Sequence, residues 1–236
     1  MSSPAKADTT FHWSIYADAT AAGLAVLIPI PILDWLFEEF FRRRMPATIA
    51  HRHQINLPAP IKRELNRGDA ERGWLSTCLL LPLKGIYWFI KTLSKKILYF
   101  LTIKEAADQV SRYWHQAFLI NYMFAAGHLS DKRSAKAARQ AMWQVIEASQ
   151  ASPLLQLAQQ VVSGTRHIMR SLFRLRRGQE DELIAAKKSE MRGLWVNFAD
   201  YFAALAALYD QAYPVKLQTL LAEEQALAAA RESHHD

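Results

Sequence analysis

Residues 21–45 read AAGLAVLIPIPILDWLFEEFFRRRM, from Ala21 to Met45. This stretch crosses a membrane, lies on one, or lines a water-soluble core, and the choice among these sets the reading of the whole chain. A spanning helix needs about 20 mostly apolar residues. The apolar helix ahead of Pro29 supplies roughly 11 to 14, and the one downstream is cut short by Glu38 and Glu39. Each proline of Ile28-Pro-Ile-Pro31 pushes the residue before it out of the helical region, so Ile28 and Ile30 are expected to be extended. A helix, a proline elbow and a second helix capped at Asp34 fit these residues better than one continuous span. Such a hairpin inserts into one leaflet or packs as a buried pair. If it inserts, Leu24, Val26, Leu27, Ile28, Ile30, Ile32 and Leu33 enter the acyl region, and Arg42, Arg43 and Arg44 meet the cytoplasmic headgroups.

A second segment favours the membrane. Leu79 to Leu101 reads LLLPLKGIYWFIKTLSKKILYFL. Leu83, Ile86, Phe89, Ile90, Leu93, Ile97, Phe100 and Leu101 share one side of a helical wheel. Lys84, Lys91 and Lys95 share the other, with Trp88 between. Four lysines argue against spanning, at about 2.5 to 3.5 kcal/mol each near a bilayer centre. A wide apolar face edged by lysines, with Tyr87, Trp88 and Phe89 clustered, is what an interfacial helix requires. An ordinary core helix with a solvated lysine face has the same wheel.

Outward from these segments, helix punctuation organises the chain. Pro46 is expected to continue the second helix to about His53. Leu57-Pro-Ala-Pro60 reads as a short stiff connector, and the charged run Lys62 to Arg72 as a linker. Thr102-Ile-Lys-Glu105 has capping-box spacing for a helix stopping at Gly127. Asp131 caps the next helix through about Ala148, and Ser152-Pro153 opens another ending at Gly178. A long helix over Gln179 to Ala212 carries a seam of Met191, Leu194, Phe198, Tyr201, Leu205, Leu208 and Ala212 before Pro214 breaks it. Its partner is another helix of the chain or a second subunit. Arg166, Arg170, Arg174 and Arg177 fall on one helix face, with His167 beside them. That stripe tracks phosphates of lipid or nucleic acid, or is a solvated face neutralised by Glu180, Asp181 and Glu182.

Composition agrees with a helical chain. Apolar residues make up 51% and charged ones 22%, with only eight glycines in 236 residues. That favours helices and a proper core over disorder or sheets. The formal charge of +7 suits an anionic partner. The N-terminus lacks the charge and cleavage pattern of a signal peptide. The single cysteine, Cys78, sits in an apolar run and reads as an inert thiol.

Familiar chemistries are missing from the sequence. It has no glycine-rich phosphate loop, no G-x-S-x-G elbow, no H-E-x-x-H and no paired cysteines. Glu232-Ser-His-His235 offers a single Glu-x-x-His spacing, whereas di-iron bundles need two. His51 and His53 lie among arginines and read as solvated. His115 reads as a helix histidine near a core boundary, with Asp108 too weak a partner to make it a catalytic base. No cofactor and no metal is expected.

These readings give an all-α multi-helix bundle in three parts. Residues 1–60 form an apolar hairpin, 61–101 a charged linker with a basic amphipathic helix, and 102–236 a helical bundle. The expected function is non-enzymatic: attachment to an anionic membrane surface on its cytoplasmic face. The C-terminal bundle would serve as a protein-interaction or self-association module. Two alternatives stand beside it: a soluble nucleic-acid-binding protein using Arg166 to Arg177, and a helical enzyme or carrier with a pocket for a hydrophobic ligand.

Overall fold

In the computed structural model the described residues are 8–28, 31–67, 95–149, 152–163 and 182–232; of these, the side chains at 31–32, 95–102, 163 and 182–188 are left aside. The described residues are all-α, as the composition and periodicity imply. The helices are α1 (Trp13–Leu24), α2 (Pro31–Arg52), α3 (Ala59–Leu65), α4 (Lys95–Ala125), α5 (Lys132–Ala148), α6 (Leu154–Ser163), α7 (Glu182–Trp195) and α8 (Ala199–Glu232). A single 3-10 turn follows α1 at Ala25–Leu27, and another at Val196–Phe198 separates α7 from α8.

The core is built around α4. From Tyr113 to Phe124 every residue of this helix is buried, the all-round apolar pattern of a helix surrounded by others. α1 and α2 pack on one part of it, while α5, α6 and α8 cover the rest. At the α1–α4 crossing the small residues Ala19, Ala22, Ala106 and Ala107 are buried together with Gly23. A Cβ on Gly23 would lie 2.5 Å from both the Val110 backbone nitrogen and its Cα. The two backbones therefore meet where only hydrogen fits, which places α1 inside the bundle and not beside it.

Local signals account for most boundaries. Ile28 is extended (φ −78°, ψ 116°), as expected before Pro29. Gly127 closes α4 with φ +72°, and the His128 N–H reaches back to the Met123 carbonyl at 3.0 Å. Asp131 caps α5: its Oδ1 accepts from the N–H groups of Arg133 (2.8 Å) and Ser134 (3.0 Å). The Ser152 hydroxyl accepts from the Leu154 N–H at 3.1 Å, opening α6.

Elsewhere tertiary packing overrides the punctuation. Asp34 lies inside the first turn of α2, because Pro31 starts that helix. The helix continues through Pro46 to Arg52, and Gln54, at φ +57°, ends it. The expected stiff connector and the start of the expected linker are instead α3. Pro58 and Pro60 sit at its N-terminus, where a fixed φ and a missing N–H cost nothing. Ile61 and Leu65 then bury one face of it. Thr102 is interior to α4, which begins at Lys95, so the capping-box spacing there caps nothing. The expected long helix from Gln179 is interrupted at Val196–Phe198, and α8 passes through Pro214 to Glu232. Pro214 is exposed, so water can satisfy the Asp210 carbonyl that it deprives of a donor. Gly178, Glu180 and Asp181 lie outside the described residues.

The expected seam of α7 and α8 is partly correct. Met191, Leu205 and Ala212 are buried, but Leu208 is exposed, and Trp195, Phe202 and Tyr209 occupy the interior. Rings of Phe11, Tyr16, Trp114 and Phe202 surround Trp195 with centroids 4.4 to 5.5 Å away. Residues from α1, α4, α7 and α8 thus share one core with α2, α3, α5 and α6.

Two buried carboxylates fasten helices across this core. Asp18 of α1 accepts from the Thr48 hydroxyl at 2.7 Å and pairs with Arg44 at 2.9 Å, tying α1 to α2. Glu64 of α3 accepts from Arg139 Nε of α5 at 3.1 Å and pairs with Arg67 at 3.3 Å. Neither acid can be left alone, because an unpaired charge in the interior costs several kcal/mol.

Candidate membrane-apposed surface

The first half of α2 carries four exposed large hydrophobic residues close together. Leu33 is 39% exposed, Trp35 44%, Leu36 46% and Phe40 50%. Leu33, Leu36, Phe37 and Phe40 follow i, i+3, i+4, i+7 spacing, so they share one face. The buried Met45 and Ile49 lie round the opposite side, against the core. One turn beyond Phe40 the same face carries Arg43 and Arg44. The Arg44 guanidinium lies 5.9 Å from the Phe40 ring centroid and 5.7 Å from that of Phe41, holding charge directly over apolar surface.

The three arginines play different parts. Arg42 turns inward: it bonds Glu39 at 2.7 to 3.0 Å and donates to the Asn66 carbonyl at 2.9 Å. Arg43 also bonds Glu39 but stays 65% exposed. Burial works against the Glu39 carboxylate, yet the hydrogen bonds and charges of Arg42 and Arg43 hold it below the usual carboxylate range. Arg44 is half-exposed and committed to Asp18. The Asn66 contacts bring the end of α3 alongside, adding the exposed Arg67 to this rim.

The other named insertion residues fall in different places. Leu24 is fully buried in the core and is corrected on that account: it packs with α4 and presents nothing outward. Val26 and Leu27 are half-buried against the core, and Ile28 is half-buried. Among the described side chains of the set, Leu33 alone is exposed. Ile30, Lys84, Tyr87, Trp88, Phe89, Lys91, Arg166, Arg170, Arg174 and Arg177 lie outside the described residues, and only the backbone of Ile32 and Lys95 is described.

Leu36 and Phe40 were missed because Glu38 and Glu39 were counted against the segment as a whole. The signal was available in the face and not in the count: the acids at 34, 38 and 39 lie off the side that carries 33, 36, 37 and 40.

On the flank between α2 and α4, Asp34, Glu38 and Asp108 lie within electrostatic reach of Glu105. Glu38 accepts from the Tyr113 hydroxyl at 2.5 Å, and Asp34 from the Trp35 N–H at 2.6 Å. Burial, then the charges of Glu38, Asp108 and Asp34, push the Glu105 carboxyl up from its usual range. Burial also raises Asp34, with Glu38 adding to it against the Trp35 hydrogen bond.

Two of the described histidines are held by contacts inside the fold. His115 is buried; its Nδ1 contacts the Ser111 carbonyl and its Nε2 the Tyr201 hydroxyl, both at 2.6 Å. That pattern is a neutral ring donating from Nδ1 and accepting at Nε2, and burial pushes its pKa down. Asp108 is exposed and makes no contact with it. The sequence reading of His53 as a solvated histidine is corrected: it is half-buried, bonds Asn121 Oδ1 at 2.9 Å and stacks on Phe124. Among the described residues no group of three or more metal-binding side chains converges, and no helix is long and apolar enough to cross a membrane. No protein-family model, curated protein or solved structure matches this chain.

Proposed function

We propose that the protein docks peripherally on an anionic membrane surface through the outward face of α2. The carrying observation is the juxtaposition of Leu33, Leu36 and Phe40, each at least 39% exposed, with Arg43 and Arg44 one turn on. The net charge of +7 supports an anionic partner.

Magnitudes favour reversible attachment. Burying the exposed halves of these apolar side chains is worth about 1 kcal/mol each. A free arginine near an anionic leaflet adds about 1 kcal/mol, and Arg43 and Arg44, paired with Glu39 and Asp18, add less. The sum, on the order of 3 to 5 kcal/mol, resembles a weak interfacial helix and falls far short of a spanning one.

The test is co-sedimentation with phosphatidylserine–phosphatidylcholine vesicles. Leu36→Asp combined with Phe40→Asp is expected to weaken binding more than about tenfold. Because both residues face outward, the melting temperature should barely change. Added salt should weaken the wild type without abolishing binding, since only the arginine contribution is screened. Undiminished binding by the double variant would overturn the proposal. So would binding to duplex DNA or RNA in preference to vesicles, which would favour nucleic acid instead.

A further inference from the structure

Resting on that reading, we propose that the corner where α3 meets α2 binds a lipid headgroup carrying several phosphates, such as a phosphorylated inositol, through Arg43, Lys62, Arg63 and Arg67. Two hydrogen bonds build the corner. Arg42 donates to the Asn66 carbonyl at 2.9 Å, and Asn66 Nδ2 donates to the Arg43 carbonyl at 3.5 Å. They hold the C-terminal end of α3 against the turn of α2 that follows Phe40. Arg67 comes directly after Asn66, and Arg63 lies one turn before Arg67. Lys62 lies one turn before Asn66, whose N–H donates to its carbonyl at 3.1 Å. All four cations are exposed, the side chains of Arg43 and Arg67 at 65% each.

The pattern of α3 decides which way its charges point. The helix buries Ile61, Glu64 and Leu65, which leaves 62, 63 and 67 outside. Its one acid faces inward, where Glu64 holds Arg139 of α5 as well as Arg67. Glu39 is shared by Arg42 and Arg43. Over 39–43 and 59–67 the chain sets five cations, Arg42, Arg43, Lys62, Arg63 and Arg67, against these two carboxylates. The excess charge is positive, and it lies on the outside.

Such a corner favours several phosphates in one headgroup over scattered single charges. A guanidinium takes two phosphate oxygens at once. Cations from two helices, fixed side by side, are met by one polyphosphate for the ordering of one molecule. Lipids of single net charge must be gathered one by one, each losing its own freedom. The corner also adjoins the apolar face. Arg43 is one turn from Phe40 on the same side of α2, so the headgroup is held while Leu36 and Phe40 meet the acyl chains.

The experiment is co-sedimentation of the full chain with two sets of phosphatidylcholine vesicles of equal surface charge. One set carries phosphatidylserine, the other phosphatidylinositol bisphosphate. The wild type is expected to bind the bisphosphate set at least about fivefold more tightly. In Arg63→Gln combined with Arg67→Gln, that ratio should fall to within about twofold, since fewer cations remain for the extra phosphates. Taking the ratio within each protein cancels the general loss of charge. Glu64 keeps Arg139 in this variant, and circular dichroism checks its fold. If it does not fold, Lys62→Gln with Arg63→Gln makes the same comparison. Equal binding to both sets by the wild type, or an undiminished ratio in the folded variant, would overturn the inference while leaving docking intact. Binding to neither set would remove the docking reading itself.

Discussion

Trp195→Ala is expected to lose about 3 to 5 kcal/mol of stability, the range for emptying a large aromatic site in a core. Trp195 is 1% exposed and belongs to α7, yet its ring meets Phe11 and Tyr16 from the N-terminal end, Trp114 of α4 and Phe202 of α8. Removing it takes away the common contact of elements far apart in sequence. A domain of this size has only about 5 to 15 kcal/mol in reserve, so the variant should be partly unfolded at physiological temperature. Urea denaturation followed by circular dichroism measures this directly. Trp195→Phe should recover much of the loss, because the indole N–H has no hydrogen-bond partner among the described residues and phenylalanine sacrifices none. A loss under about 1 kcal/mol for the alanine variant would mean that the aromatic cluster is not the core described here.

Arg139→Ala is expected to cost about 3 kcal/mol, mostly through what it leaves behind. Glu64 is 2% exposed, and without Arg139 its carboxylate keeps only the solvent-facing Arg67. The pair joins α3 to α5, so the single substitution should loosen α3 first. Glu64→Leu together with Arg139→Leu should come back to within about 1 kcal/mol of wild type, because the penalty lies in the uncompensated charge and not in the lost attraction. A double-mutant cycle by equilibrium denaturation gives the coupling. A near-neutral Arg139→Ala would contradict the buried pairing.

These two residues also show what could be read from the sequence and what could not. The helical class, the Gly127 terminus and the Asp131 cap were legible because each depends on a few adjacent residues and on backbone chemistry that operates locally. Trp195 and Arg139 were not legible, since their roles come from partners tens to almost two hundred residues away. Pro214 and Thr102 misled for a related reason: both are local stop or start signals that packing along α8 and α4 outweighs.

The proposed docking face was half legible. Leu33 and the arginines at 42–44 were named from the sequence, and Arg43 and Arg44 do lie on the same face as Leu36 and Phe40. Leu24 was misassigned because an apolar residue destined for the core has the same hydropathy as one destined for lipid. Its place was decided by Gly23, whose lack of a side chain lets α1 press against Val110. Once α1 is buried by that contact, the surplus apolar surface moves from the expected hairpin to the outward side of α2.

The most direct measurement is the environment of position 36 on a vesicle. A nitroxide attached to Leu36→Cys, in a background with the single native cysteine changed by Cys78→Ser, reports its exposure to oxygen and to a water-soluble nickel complex. The label should be reached readily by the nickel complex in solution. On phosphatidylserine-containing vesicles it should become shielded from nickel and more accessible to oxygen, as a side chain several ångströms below the headgroups must be. A label already shielded before vesicles are added would show that protein covers the face. One that stays open to nickel on adding vesicles would show that no membrane does.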